Sequence, residues 1–174
     1  MNPNSWNFSE KQLVVTDHIS QEHRSWNMGR ITSENSTPER IVRSVLHRMG
    51  YRFRLHVKNL PGRPDITLKK HNLVIFVHGC FWHRHQGCKR CTIPKSNQEF
   101  WLNKFERNVR RDRENQRKLI QMGWRVEAIW ECQTKNWDEF FSILGEILPS
   151  MFDMRKSLEK LEDEEIKGLI EIMK

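Results

Sequence analysis

The alternation of hydrophobic and polar residues divides the chain into a small number of helices and strands. Hydrophobic side chains recur every three or four positions in residues 37–49, 100–122 and 137–148, and this spacing predicts three helices. Ser36 supplies an N-cap hydroxyl for the first helix, and Gly50 is a natural stop after it.

Shorter hydrophobic runs predict strands at residues 51–57, 65–68, 73–78 and 124–130. A polar turn between the second and third strands predicts that these two form a hairpin. In such an antiparallel pair, Asp65 lies opposite a residue between Phe76 and His78. The hairpin therefore brings one carboxylate to the end of the third strand.

The third strand, the long helix and the fourth strand form a crossover unit, in which the two strands run parallel and are commonly neighbours. Cys80 follows the end of the third strand by two residues, and Cys132 follows the end of the fourth by two. Because adjacent strands lie about 5 Å apart, these two sulfurs are expected to meet at one edge of the sheet. The predicted fold class is α/β, with a mixed central sheet flanked by helices.

The long helix is expected to have two different faces. Its apolar side is predicted to consist of Trp101, Leu102, Phe105, Val109, Leu119 and Ile120. The other face is rich in Lys and Arg, which is typical of a solvated helix surface and also of contacts with phosphate groups.

Composition adds a partner class to this picture. The 174 residues carry a formal net charge of +8, which favours a phosphate-rich partner such as nucleic acid. We find no secretory signal and no membrane-spanning run, and predict a cytoplasmic protein. We divide it into an arm (1–23), one domain (24–149) and a helical tail (150–174), which could pack on the domain, contact a partner or extend into solvent.

The cysteines and histidines are concentrated in one loop, at residues 78–91. Cys80, His85 and Cys88, with Cys132 completing the set, form a group of three cysteines and one histidine that is typical of a closed structural zinc site. Cys91 competes with Cys88, because both have metal-ligand spacing. The alternative is that these cysteines are buried and inert.

Carboxylates and histidines outside the zinc set are candidates for catalysis. Asp65 and Glu39 are the oxygen ligands best placed for Mg2+, although Glu39 could instead serve only the start of the first helix. His78 and His83 are left for proton transfer or phosphate contact, because imidazole titrates near neutral pH.

Aromatic and basic residues suggest how DNA is contacted. Phe81 and Trp82 are ordinarily core residues, but on a polar loop they can stack on bases or wedge between them. The segment from Arg24 to Arg30, which includes Met28, is basic with interleaved apolar groups. It suits either a nucleic-acid groove or a surface helix.

Several motifs together resemble one known family, the very short patch repair (Vsr) endonucleases. The resemblance spans residues 24–148 and rests on Pro61-Gly-Arg-Pro-Asp65, Val77-His-Gly-Cys-Phe-Trp-His83, Glu99-Phe-Trp-Leu-Asn-Lys104, Asn108-Val109, Arg111-Asp112, Gly123-Trp-Arg-Val126 and Trp130-Glu-Cys132. It implies a restriction-endonuclease-like core of the PD-(D/E)xK type. It also implies an enzyme that nicks duplex DNA 5′ to the T of T:G mismatches, which arise when 5-methylcytosine deaminates.

The same resemblance implies a role for each residue of the active site. Asp65 is similar to the family's Mg2+ ligand, with the backbone carbonyl of Val77 as a second. His83 is similar to the base that activates water, Glu39 to the carboxylate that orients it, and His78 to the group beside the scissile phosphate.

Zinc and DNA contacts follow from it in the same way. Cys80, His85, Cys88 and Cys132 match the structural zinc ligands. The predicted DNA contacts are Phe81, Trp82, Met28, Arg63, Arg24 and Arg30, with Phe81 and Trp82 as the wedge at the mismatch and Met28 entering from the other groove.

The expected partners are T:G-mismatched duplex DNA, a functionally linked cytosine-5 DNA methyltransferase and mismatch-repair proteins. The enzyme is expected to be a monomer. When bound to DNA, it is expected to be associated with the nucleoid. Two alternatives stay open: a related nuclease of restriction, homing or phage defence without mismatch specificity, and a non-catalytic zinc-containing DNA-binding protein.

Overall fold

The computed structural model describes residues 34–148 and, ahead of them, Ser20, His23 and Trp26. The predicted tail and most of the predicted arm lie outside the described residues. So do three of the predicted DNA contacts, Arg24, Met28 and Arg30.

Residues 1–31 form a compact unit of their own, separate from the unit of residues 32–174. Within the first unit the backbone N–H of His23 donates to Ser20 Oγ at 3.2 Å. The rings of His23 and Trp26 make an edge-to-face contact, with centroids 5.7 Å apart, as expected for side chains three residues apart on a helix.

Helix α1 spans Thr37–Arg48 and confirms the first predicted helix. Ser36 and Glu39 form a capping box, in which the Ser36 hydroxyl accepts from the Glu39 backbone N–H and the Glu39 carboxylate accepts from the Ser36 backbone N–H. Gly50 follows the C-cap residue Met49 and has a φ of +82°, which only glycine adopts readily. The cap fixes Glu39 on the first turn, where the Glu39 side chain is buried.

The first three strands form an antiparallel meander: β1 (Arg54–Leu55), β2 (Ile66–Leu68) and β3 (Leu73–His78). The predicted hairpin between β2 and β3 is confirmed, with Ile66 opposite Ile75. The first strand is shorter than the predicted 51–57, because His56 has a left-handed φ of +44° and cannot continue a pleated strand.

Helix α2 (Gln98–Gln121) crosses over to β4 (Arg125–Trp130), which pairs with β3 in parallel over six residues, from Leu73 opposite Arg125 to His78 opposite Trp130. The sheet order is therefore β1-β2-β3-β4, with antiparallel pairs followed by one parallel pair. The predicted crossover is confirmed, and with it the mixed α/β class.

The buried face of α2 is narrower than predicted. Trp101, Phe105 and Leu119 are buried, but Leu102 and Ile120 are 38% and 61% exposed, so their assignment to the apolar side was wrong. The reason is geometric: each of the two follows a buried residue by one position, which turns it about 100° away round the helix.

Helix α3 (Trp137–Ile147) begins at Asn136, whose side chain accepts from the Glu139 backbone N–H. Phe140 and Leu144 of this helix pack with α1 and with one face of the sheet to form the main hydrophobic core. Among the described residues, no helix combines the length and apolar character needed to cross a membrane.

Truncating Phe140 tests this core. Phe140 is completely buried, and Phe140→Ala is expected to lower the free energy of unfolding by about 3–5 kcal/mol, because a large cavity replaces the ring. Denaturant unfolding followed by circular dichroism measures the change. Phe100→Ala is the matched control: its ring is 52% exposed, and the same truncation there should cost far less.

Candidate active site and metal centre

Asp65 is the residue immediately before β2. Because β2 pairs with β3, Asp65 lies beside the end of β3, where the histidine-rich loop begins. Its Oδ2 accepts a hydrogen bond from the backbone N–H of Val77 at 2.7 Å, so the predicted placement of Asp65 is confirmed. The pKa of Asp65 is raised to about 6, chiefly by burial and also by the nearby Glu39, although the Val77 N–H acts to lower it. A bound cation would favour the charged form of this carboxylate.

Glu39 is almost completely buried, with 3% of its surface exposed. Its two oxygens accept hydrogen bonds from the Asn35 and Ser36 backbone N–H groups, from the Ser36 hydroxyl and from the Arg43 guanidinium. These four donors account for the hydrogen-bonding capacity of a carboxylate.

His56 stands between Glu39 and Asp65, and sequence reasoning missed it. Its Nε2 lies 3.7 Å from Glu39 Oε2, and its Nδ1 lies 3.8 Å from Asp65 Oδ1. The signal was the strand register: Leu55 pairs with Ile66, so the residue after β1 lies opposite the residue before β2. Donor atoms of Glu39, His56 and Asp65 lie within 4.8 Å of one another.

A second cluster joins His78, His83 and Asp112. The ring centroids of the two histidines are 4.0 Å apart, and His83 Nδ1 lies 2.6 Å from Asp112 Oδ2. The pKa of His78 is lowered to about 3, chiefly by burial and also by its neighbour His83. His78 is therefore neutral at physiological pH.

Asp112 also went unrecognised as a site residue. Burial raises its pKa, but the hydrogen bond with His83 and the surrounding positive groups outweigh that effect and hold it below the usual range. The sequence signal was its position: Asp112 follows Phe105 by seven residues and precedes Leu119 by seven, so it occupies the buried stripe of α2. A carboxylate on a buried stripe requires a hydrogen-bonded or oppositely charged neighbour, because burying an unpaired charge is costly.

The cysteine cluster lies on the other side of the same loop. The donor atoms of Cys80, His85, Cys88 and Cys132 lie within 4.8 Å of one another. His85 Nδ1 is 3.2 Å from Cys132 Sγ and 3.7 Å from Cys80 Sγ. Tetrahedral coordination of zinc separates a nitrogen and a sulfur ligand by roughly 3.6 Å. These four side chains can therefore hold a metal ion.

Cys91 is not a member of that cluster. The backbone carbonyl of Cys91 faces the Arg84 guanidinium at 3.5 Å, and the carbonyl of Thr92 accepts from the same guanidinium at 2.7 Å. In contrast, Cys88 Sγ accepts from the backbone N–H of Arg90 at 3.4 Å, and this hydrogen bond lowers the pKa of Cys88. Cys88 is the cysteine that the structure brings together with Cys80 and Cys132.

One aromatic ring touches both clusters. The Trp130 indole stacks on His85 with centroids 4.2 Å apart and planes 3° from parallel, and it also contacts His78 at 5.3 Å. The cysteine cluster and the histidine pair therefore share a wall.

Phe81 and Trp82 are half-buried, and they pack on α2. Phe81 makes edge-to-face contacts with Trp101 and Phe105 at 5.5 and 5.1 Å. The Trp82 ring lies below Lys104 Nζ at 5.0 Å, and its backbone carbonyl accepts from Asn108. The two rings are thus held against α2, and both remain partly exposed.

Basic residues surround this area. A shallow groove beside Trp82 and Asp112 is lined by Lys104, Arg107, Asn108, Arg110, Arg111 and Glu114. Arg63, a predicted DNA contact, is half-exposed and paired with Glu34 at 2.9 Å.

Comparison with known proteins places this geometry in context. Residues 16–90 match the family model described as DNA mismatch endonuclease Vsr. The type II nicking enzyme V.XorIIP of Xanthomonas oryzae pv. oryzae is 49% identical over 119 residues, which cover 68% of this chain and 87% of that protein.

Two further relatives have similar coverage. The type II nicking enzyme V.NmeAIP of Neisseria meningitidis is 43% identical over 122 residues, covering 70% of this chain and 86% of that protein. The DNA mismatch endonuclease Vsr of Escherichia coli is 43% identical over 118 residues, covering 68% of this chain and 75% of that protein.

Proposed function

The chain belongs to the Vsr family of DNA endonucleases, and from that premise we propose that it nicks duplex DNA 5′ to the T of a T:G mismatch. The observation that carries the proposal is the position of two groups around one strand end: Asp65 accepts from the Val77 N–H near the end of β3, and His83, five residues after this strand, pairs with Asp112. A buried carboxylate and an oriented imidazole are the groups that metal-assisted hydrolysis of a phosphodiester requires.

The acidic end of the site fits Mg2+. Asp65 and the backbone carbonyl of Val77 would hold the ion, since the Val77 N–H already fixes the neighbouring carboxylate. Hard oxygen ligands, with water completing the shell, are what Mg2+ prefers. When bound, it supplies stabilisation of the charge that develops on the scissile phosphate.

His83 acts as the general base in this scheme. Because Asp112 accepts at Nδ1, the proton resides on that nitrogen and the lone pair of Nε2 is open to take a proton from water. Asp112 is a positioning residue, which holds the ring and its tautomer. Neutral His78 lies beside His83, where it can contact the phosphate.

Glu39 is proposed to orient the attacking water. Both of its oxygens are already engaged by four donors, so this role requires it to exchange one of them for water when DNA binds.

The cysteine cluster is proposed to be a structural zinc site with Cys80, His85, Cys88 and Cys132 as ligands. Three thiolates and one imidazole are a set that selects zinc over Mg2+, and four protein ligands leave no open position for catalysis. The crossover of β3, α2 and β4 that carries it suits the proposed restriction-endonuclease-like core.

For DNA binding, we propose that Phe81 and Trp82 form the wedge at the mismatch and that the basic groove follows the phosphate backbone. The cation–π contact between Lys104 and Trp82 connects these two surfaces. Arg63, Arg24, Arg30 and Met28 complete the proposed contacts. We also propose that the enzyme acts as a cytoplasmic monomer in concert with a cytosine-5 DNA methyltransferase and mismatch-repair proteins.

A second candidate function is nicking of fully paired DNA. One observation favours it: the relatives that are 49% and 43% identical to this chain over the aligned residues are named type II nicking enzymes, and these names do not mention a mismatch.

One duplex experiment separates these functions. With Mg2+, the protein is expected to nick T:G duplexes in at least one sequence context and to leave the matched T:A duplexes intact, and denaturing gels with each strand labelled locate the cut. Asp65→Asn should abolish nicking but retain DNA binding, because it removes only the charge that holds the cation. Equal nicking of T:A duplexes would instead support the second candidate.

The role of Asp112 has its own test. Asp112→Asn is expected to lower the rate of nicking by on the order of 10²- to 10⁴-fold, because an amide no longer fixes the required tautomer of His83. Single-turnover kinetics with saturating enzyme measure the chemical step. Asp138→Asn, the same change at an exposed position of α3, is the control, and an equal loss there would refute the assignment.

Metal analysis tests the zinc proposal. About one zinc per chain is expected in protein purified without chelator, and Cys132→Ala and Cys88→Ser should each lose the metal and stability. Cys91→Ser should retain both, because Cys91 lies outside the cluster. Loss of zinc in Cys91→Ser but not in Cys88→Ser would reverse the ligand assignment.

A further inference from the structure

His56 has no role in the mechanism above, although it is the side chain that lies between Glu39 and Asp65. Its side chain is 14% exposed, and its backbone, directly after β1, has a left-handed conformation. Two readings are open to such a residue: an imidazolium paired with both carboxylates, or a neutral ring that organises them.

The contact with Arg43 decides between these readings. Arg43 Nη2 lies 3.1 Å from His56 Nε2. A guanidinium carries only donors, so Nε2 must be the acceptor and must lack a proton. An imidazolium would point a second donor at Arg43 at the same distance. The ring is therefore neutral, with its proton on Nδ1.

Arg43 is itself held in place. Its guanidinium donates to the Glu39 carboxylate and to Asn35 Oδ1, the latter at 2.7 Å, and its side chain is 13% exposed. The capped end of α1 thus fixes Arg43, and Arg43 fixes the tautomer of His56.

The consequence falls on Asp65. His56 Nδ1 lies 3.8 Å from Asp65 Oδ1, an electrostatic contact longer than a hydrogen bond, while the Val77 N–H donates to Oδ2 at 2.7 Å. One oxygen of Asp65 is thus fixed by the backbone, and the other has the imidazole as its neighbour. Because the ring is uncharged, it leaves the negative charge of Asp65 to a cation, and because Nε2 is occupied by Arg43, His56 is not itself a ligand.

On this basis, and resting on the proposed function, we propose that His56 is a positioning residue for Asp65, set by Arg43 as the neutral Nδ1–H tautomer, which orients the carboxylate for the divalent cation. Groups that orient metal-binding carboxylates typically contribute about 10- to 100-fold to metal affinity or activity.

Asparagine and glutamine variants separate this role from simple packing. The amide of His56→Asn places an N–H near the position of Nδ1, whereas that of His56→Gln reaches the position of Nε2. Binding of Mn2+, used as a paramagnetic probe of the Mg2+ site, is measured by the electron paramagnetic resonance signal of the free ion, with Asp65→Asn defining the site.

His56→Ala and His56→Gln are expected to weaken Mn2+ binding, and to raise the Mg2+ concentration for half-maximal nicking, by about 10-fold or more. His56→Asn should stay within about 3-fold of the unmodified protein, as should His47→Ala, an exposed histidine of α1. Unchanged Mn2+ binding in His56→Ala, equal losses in the Ala and Asn variants, or no Asp65-dependent binding at all would each overturn the proposal.

The tautomer is observable without any variant or activity. Two-bond proton–nitrogen correlation in ¹⁵N-labelled protein should show His56 protonated on Nδ1 alone, and a ring protonated on Nε2 or on both nitrogens would refute the proposal. These binding and NMR results do not depend on which duplex is cut. If the protein does not nick T:G duplexes but gives the expected Mn2+ binding and NMR results, the proposed function is refuted and the role of His56 stands.

Discussion

The parallel pairing of β3 with β4 is the constraint on which the rest of the structure depends. All six residues of β3 are buried and paired in one register. A slip of one residue would turn every side chain of β3 to the opposite face of the sheet. The register therefore determines, at once, which residues enter the core and where the loop after His78 begins. Catalytic precision in this protein starts from an ordinary hydrophobic strand.

From that strand end, one loop serves two purposes because it is anchored on several sides. Cys80 is completely buried and faces Cys132 across the paired strands, whereas His83 turns toward α2 and meets Asp112. Arg84, which caps the ring of Phe105 at 4.4 Å, holds the far part of the loop. Residues of one short loop are thus directed to different neighbours without any regular secondary structure.

Residue periodicity was sufficient to predict the hairpin that delivers Asp65 and the crossover that joins Cys80 to Cys132, because both depend only on the order of the elements. Asp112 and His56 could not be placed in the same way. The position of Asp112 depends on the rotation of the long helix α2 about its axis, and the position of His56 depends on the exact register between β1 and β2. The two exposed residues Leu102 and Ile120 show the same limit, since a broad apolar stripe does not specify which turn faces the core. Local pattern predicts elements, and tertiary packing selects their partners.

Trp130 connects the cysteine cluster to the histidine pair. Its indole is in contact with His85 on one side and with His78 on the other, and it is the last residue of the strand that carries Cys132. The positions of His85 and His78 are therefore coupled through a single side chain. A change in the packing of the cysteine cluster is transmitted to the histidine pair by contact, over the width of one indole ring.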